Sequence, residues 1–240
     1  IRTSAGAVTT EGGRAVSVSG NTGVATLNGN ALTSVSLGNT SQAAIINNAT
    51  ADHELNLRLS EVGNGATVTD ANAKTINLQV HAVQGGVGSH INLAAAKATA
   101  LHIDNATSFQ LATTALAADD KLATLSLKGA GNFTSDLSGI ASLTTFDGAQ
   151  SSGTNTLQVA SATGLRGQGR SGVGLVSMSG ALAANAPVDL GAGNDRYDFT
   201  HAALSGAKVD GGAGIDTVVM NDAALIGAGS PVYSNFEILD

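Results

Sequence analysis

Two stretches near the C-terminus repeat one order of residue types. Val188-Asp189-Leu190-Gly191-Ala192-Gly193-Asn194-Asp195-Arg196-Tyr197-Asp198 aligns with Val209-Asp210-Gly211-Gly212-Ala213-Gly214-Ile215-Asp216-Thr217-Val218-Val219, with Asp195 and Asp216 in matching places. The second copy fits the pattern G-G-x-G-x-D-x-U-x at every fixed position, U being a large apolar residue; the first has Leu190 in place of the first Gly. Glycine lets the chain turn sharply and aim backbone carbonyls inward. The Asp adds a carboxylate, and the next residues form a strand that carries an apolar side chain into a core. The repeat therefore gathers oxygen donors.

Other arrangements that could do chemistry are weaker. The five histidines, His53, His81, His90, His102 and His201, form no H-E-x-x-H or other zinc spacing. Asp52-His53-Glu54 is dense but isolated and reads as a solvated corner. There is no G-x-S-x-G elbow, and the Gly-rich stretches Gly85-Gly86-Val87-Gly88 and Gly164 to Gly174 lack the Lys of a phosphate loop. Arg166 and Arg170 in the second suggest a loop that binds sugar or a neighbouring subunit. Asp104 and Asp147 could stack on one edge as the paired carboxylates of a polysaccharide lyase or hydrolase. Corner Asp residues are more often structural, and the chain is read as non-catalytic. Sequons at Asn39, Asn48, Asn105 and Asn132 are expected by chance in so Asn- and Thr-rich a chain.

The Gly–Asp repeat resembles the calcium-binding nonapeptides of the repeats-in-toxin family, which bacteria secrete by type I export. That resemblance implies calcium, which takes six to eight oxygens at about 2.3–2.6 Å. It implies Asp195 and Asp216 as side-chain ligands, with carbonyls of Gly191, Gly193, Gly212 and Gly214 completing the shell and Asp189, Asp198 and Asp210 as neighbours. In the family, two nonapeptides make a coil, so loops on one edge lie roughly 18 residues apart. The longer spacing here, from Asp195 to Asp216, leaves Phe199 to Lys208 as a half-coil with no ion of its own. The ending Tyr233-Ser234-Asn235-Phe236-Glu237-Ile238-Leu239-Asp240 carries N-F-E-x-L, similar to the strand that follows calcium repeats in bacterial S-layer proteins and large adhesins.

The elements that must position these residues are short strands. Period-2 alternation marks Ala15–Val18, Leu55–Leu59, Thr75–Val80, Leu101–Ile103, Leu125–Leu127, Leu157–Val159 and Val218-Val219, each followed closely by Gly, Asn or Asp. Ile91 to Leu101 and Thr113 to Leu122 are Ala-rich helix candidates. Leu101-His102-Ile103, Leu125-Ser126-Leu127 and Leu143-Thr144-Thr145-Phe146 share an apolar–polar start. Ile103, Leu127 and Phe146 follow one another at steps that drift around roughly 20 residues. Such a period predicts an all-β, right-handed parallel β-solenoid (β-helix), and the resemblance of the C-terminal repeat implies a calcium-binding β-roll turn at its end. A β-sandwich is the alternative. The expected division is a strand-rich body over 1–185 and a calcium-binding segment over 186–240.

Composition narrows the partners. Charged residues are 12% and aromatics 3%, while hydrophobic residues still reach 42%, so the core is thin and built from small and branched side chains. Net charge is −7 and no run of Lys or Arg occurs, which argues against nucleic acid. No apolar run of about 18 residues could span a bilayer, so no membrane insertion is expected. No leader-like segment is present, and any export signal is expected elsewhere. Cys is absent, so disulfides and thiolate sites are excluded. The expectation is an extracellular structural subunit on a bacterial cell surface: an S-layer lattice, sheath or filament that self-associates with calcium. Cell-surface polysaccharide is a second candidate partner. The alternative is an adhesin-like binding module or the calcium-dependent domain of an exported enzyme.

Overall fold

The computed structural model describes residues 6–10, 12–85, 88–112, 121–160, 163–166, 174–178, 187–199, 208–220 and 233–240. The chain forms two compact units, Ile1–Leu122 and Ala123–Asp240. The segment from residue 186 onward lies within the second. Among the described residues there is no helix, and therefore none long and apolar enough to cross a membrane.

The first unit contains β1 (Gly6–Thr10), β2 (Ala15–Ser19), β3 (Ala25–Gly29), β4 (Ser34–Thr40), β5 (Ala44–Asn48), β6 (His53–Val62), β7 (Thr67–Asp70), β8 (Ala73–Val80), β9 (His90–Ala94), β10 (Ala100–Asn105) and β11 (Phe109–Ala112). The second contains β12 (Thr124–Gly129), β13 (Phe133–Asp136), β14 (Thr145–Ser151), β15 (Asn155–Val159), β16 (Gly164–Arg166), β17 (Gly174–Met178), β18 (Val188–Asp189), β19 (Arg196–Phe199), β20 (Val209–Asp210), β21 (Thr217–Met220), β22 (Tyr233–Ser234) and β23 (Ile238–Leu239). In each unit the odd strands make one sheet, the even strands another, and neighbours in a sheet are one turn apart. The pairings are parallel. This is a right-handed parallel β-solenoid, the hand that twisted strands favour in parallel crossovers.

Turn length varies. Thr33 Oγ1 reaches back to Arg14 O, 19 residues earlier, whereas Thr99 Oγ1 reaches back to Lys74 O, 25 residues earlier. The strands hold register because inward positions stack. In the first unit Val16, Val35, Leu57, Leu78 and Ile103 form one column, buried throughout. In the second, Leu125, Phe146, Leu165, Val188 and Val209 form another, also buried. Phe133 stacks on Phe146 at 6.4 Å between ring centroids. Alternation is cleanest in β6, where Leu55, Leu57 and Leu59 point inward and Glu54, Asn56 and Arg58 outward.

Three expectations change. Ile91 to Leu101 is not helical: it is most of β9, a turn closed by Ala98 N–H to Ala95 O, and the start of β10. The Ala-rich run favours a helix locally, but Ile91 and Leu93 fill the core only as alternating strand residues, and β9 is paired on both sides. Tertiary pairing overrides a propensity worth a few tenths of a kcal/mol per residue. Of Thr113 to Leu122, residues 113–120 lie outside the described residues. Leu125, not Leu127, faces Phe146, so this turn is longer than the Leu127–Phe146 step implies. Nor is His53 a solvated corner. It is the first inward residue of β6 and is buried. Its Nδ1 faces Thr50 O at 2.8 Å and its Nε2 faces Asp70 Oδ2 at 2.9 Å.

Leu57 is predicted to be worth far more than its neighbour. Leu57→Ala should destabilise the chain by about 2–5 kcal/mol, and Arg58→Ala, the next residue along and on the outer face, by less than about 0.5 kcal/mol. Denaturant midpoints measure both, and similar losses would contradict the inward register of β6.

Candidate metal centre

One column of residues leads, turn after turn, into the odd-strand sheet of the second unit. Phe133 lies beside Asn155 and Asn155 beside Gly174. Gly174, Asp195, Asp216 and Glu237 then each stand immediately before the paired positions Leu175, Arg196, Thr217 and Ile238. The column passes from Phe through Asn and Gly to three acids, at a constant step of 21 residues from Gly174 on.

Backbone amides tie the acids together. Gly174 N–H donates to Asp195 Oδ1 (2.6 Å), Asp195 N–H to Asp216 Oδ1 (2.7 Å), and Asp216 N–H to Glu237 Oε2 (2.8 Å). Each carboxylate thus holds the turn before it with one oxygen. For Asp195 and Asp216, 1% and 0% exposed, the other oxygen, Oδ2, is buried and meets no hydrogen-bond donor. Asp70 in the first unit is the useful contrast. It is equally buried, yet its Oδ1 accepts from Asn72 and Ala73 N–H and its Oδ2 faces His53. A buried acid in this fold can be satisfied on both oxygens, and two in the column are not.

The cost appears in their protonation. Burial pushes the Asp195 carboxyl up to about 7, against the Gly174 N–H that lowers it, with the Asp216 charge adding to the rise. Asp216 is also raised, by burial first, opposed by Asp195 N–H, with Glu237 and Asp210 repelling its charge. A cation would relieve both carboxylates.

The glycines let the turns approach. Gly191, Gly193, Gly212 and Gly214 have φ of 95°, 133°, 93° and 150°, values that side-chain-bearing residues rarely adopt. A Cβ on Gly212 would run into Gly191 O, and one on Gly214 into Gly193 O. The first turn's carbonyls therefore lie directly on the second turn's α-carbons. Ala213 N–H also donates to Gly191 O (2.8 Å), and Gly193 N–H to Ala213 O (2.9 Å). Asn194 Oδ1 accepts from Ile215 N–H at 3.0 Å.

The remaining expected neighbours lie off this column. Asp189 and Asp210 belong to the other sheet, in an outward column running Asp147, Arg166, Asp189, Asp210, Ser234. Asp210 Oδ1 accepts from Gly212 N–H (3.0 Å) and Asn235 Nδ2 (2.7 Å). Asp198 lies on β19 and has a buried Oδ1 without a donor. Most of the half-coil from Phe199 to Lys208 and the loop bearing Arg170 lie outside the described residues. The pairing expected of Asp104 and Asp147 places no acid beside either: Asp104 neighbours Gln79, and Asp147 neighbours Ser126 and Arg166.

Among the described residues no three His, Cys, Asp or Glu side chains gather as a metal group. A cation at this column would depend on main-chain oxygens as well as carboxylates. The two orphaned Oδ2 atoms on stacked, glycine-rich turns fit a hard, oxygen-seeking ion such as calcium. Glu237, which continues the column, carries no Gly–Asp motif around it; it stands in the N-F-E-x-L strand, and its distance from Asp216 equals that from Asp195 to Asp216.

No protein-family model matches the chain, and neither a curated protein nor a solved structure matches it. The chemistry is therefore tested on its own residues. Because the Asp195 carboxyl is raised above its unfolded value of 3.8, the folded state binds the extra proton, and stability falls as pH rises from that value through about 7. In chelator, the melting temperature of the second unit should be higher at pH 5.5 than at pH 7.5, and Asp195→Asn should remove most of the difference. An unchanged pH dependence in that variant would contradict the burial of an unpartnered acid.

Proposed function

We propose that this chain is a structural segment of an extracellular bacterial assembly, an S-layer lattice, sheath or filament, in which calcium orders the stacked turns after residue 186 and promotes self-association. The observation that carries the reading is the pair of buried carboxylate oxygens, Asp195 Oδ2 and Asp216 Oδ2, that meet no donor. They sit on turns whose glycines bring backbone oxygens into the stack. The likeness of these turns to repeats-in-toxin nonapeptides favours calcium and type I secretion, and the N-F-E-x-L strand favours a surface-layer setting.

The chain's own residues do the work. Asp195 and Asp216 hold successive turns in register through Gly174 and Asp195 N–H, and each keeps one oxygen for the ion. Bound calcium supplies the positive charge that lets both carboxylates stay ionised while buried. Extracellular sites have Kd near 10⁻⁴–10⁻³ M. At about 1 mM calcium and a Kd of about 0.1 mM, each ion stabilises the folded turns by roughly 1.4 kcal/mol. Low surface charge supports the assembly reading, since at 12% charged residues little repulsion keeps copies apart. Self-association is the principal partner reading.

Two measurements test this. Hydrogen exchange with and without chelator should show calcium protecting 187–220 more than the first unit; uniform change, or none, counts against a local site. Sedimentation should show assembly with calcium that chelator reverses and sodium at the same ionic strength does not restore. A monomer at high protein concentration with calcium saturating would sink the structural reading.

A further inference from the structure

We infer that a second calcium ion sits one turn further along, between the Gly211–Asp216 turn and the Asn235–Glu237 turn, with Asp216, Glu237 and the Asn235 main-chain carbonyl as ligands. The inference rests on the calcium reading above and extends it to a turn without the Gly–Asp motif.

The argument begins at Gly211. A Cβ there would run into Asn235 O, from the following turn, and would lie 3.0 Å from Asp216 Oδ2. The absent side chain thus lets two oxygens approach the Gly211 α-carbon. One is the oxygen of Asp216 that is buried without a donor. Asn235 reaches this place in the left-handed region, at φ 55°, and its side-chain amide is tied to Asp210 Oδ1 at 2.7 Å. That hydrogen bond fixes the turn that presents the carbonyl.

Glu237 supplies the second carboxylate. Its Oε2 accepts Asp216 N–H at 2.8 Å, the position that Asp216 itself takes toward Asp195 N–H. It is exposed, so its other oxygen can turn to an ion entering from solvent, and the Asp210 charge nearby, which already acts on Asp216, adds to the attraction. Three oxygens with solvent completing the shell suit calcium's variable coordination better than magnesium's strict octahedron.

The first copy lacks this approach. Leu190 takes the place of Gly211 one turn earlier, with Val188–Val209 and Asp189–Asp210 setting the register, and it is fully buried. A side chain at this place keeps the following turn's carbonyl off the α-carbon. The Glu237 interval is therefore the tighter of the two sites.

Calorimetric titration of the whole chain with calcium distinguishes the possibilities. Wild type should bind two ions. Glu237→Gln, isosteric and exposed, should lose the tighter one or weaken it at least tenfold. Gly211→Ala should do the same, with Glu237→Gln decisive because the added methyl risks disturbing the turn. Asp195→Asn should keep the tighter ion and lose the weaker. If Glu237→Gln binds as wild type does while Asp195→Asn loses its ion, this inference is overturned and the earlier reading stands. Loss of the ion in Glu237→Gln with no change in Asp195→Asn supports the inference and moves calcium off Asp195. If wild type binds no calcium at millimolar concentration, the calcium reading itself fails.

Discussion

Everything in this protein is set by the parallel pairing of each turn with the turn before it. In such a stack a residue's chemical neighbour is not the residue beside it in sequence but one a whole turn away, as Arg14 is to Thr33 and Lys74 to Thr99. An apolar residue facing inward meets another above and below, as Leu57 meets Val35 and Leu78. A polar residue in an inward column is buried and needs hydrogen-bond partners, which its own corner or the adjoining turn can supply. His53 and Asp70 solve that problem by pairing with each other across 2.9 Å. The acids of the second unit solve half of it.

The same constraint explains what the sequence discloses and what it hides. Alternation in Leu55–Leu59 and Thr75–Val80 is a direct signature of one buried face, and those strands lie where they are expected. Register is harder, since a shift of two positions keeps the same face inward. Leu125 and Leu127 are both buried, and only the pairing shows that Leu125 faces Phe146. The Ile91–Leu101 stretch misleads because its alanines score as helix while its Ile and Leu are spaced for a strand. His53 misleads because charged neighbours mask its place in an alternating strand.

At the candidate metal centre the reverse holds. Gly and Asp types disclose the two turns without any knowledge of pairing, because only glycine tolerates a neighbouring carbonyl against its α-carbon, as Gly212 does with Gly191 O. The column that joins those turns to Gly174 and Glu237 has no composition of its own. It emerges from one constant step, Gly174 to Asp195 to Asp216 to Glu237, and such a step acquires chemical meaning only once the strands are paired.

The two motif copies, so similar on paper, differ where it matters. Asp195 and Asp216 each spend one oxygen on the preceding turn's amide and leave one buried and unmet. Beside Asp216 stands Gly211, whose missing side chain lets the Asn235 carbonyl come in against its α-carbon. At the matching place before Asp195 stands Leu190, buried and apolar. Apolar surroundings favour the protonated carboxyl, and convergent oxygens favour an ion. Asp195 is the acid pushed up to about 7. The exchange of glycine for leucine thus makes two stacked carboxylates unequal: burial raises both, but the proposed calcium would be held more tightly beside Asp216 than beside Asp195. Because Asp195 N–H is itself the donor to Asp216 Oδ1, the proposed ion at Asp216 would fix the carboxylate that positions the Asp195 turn.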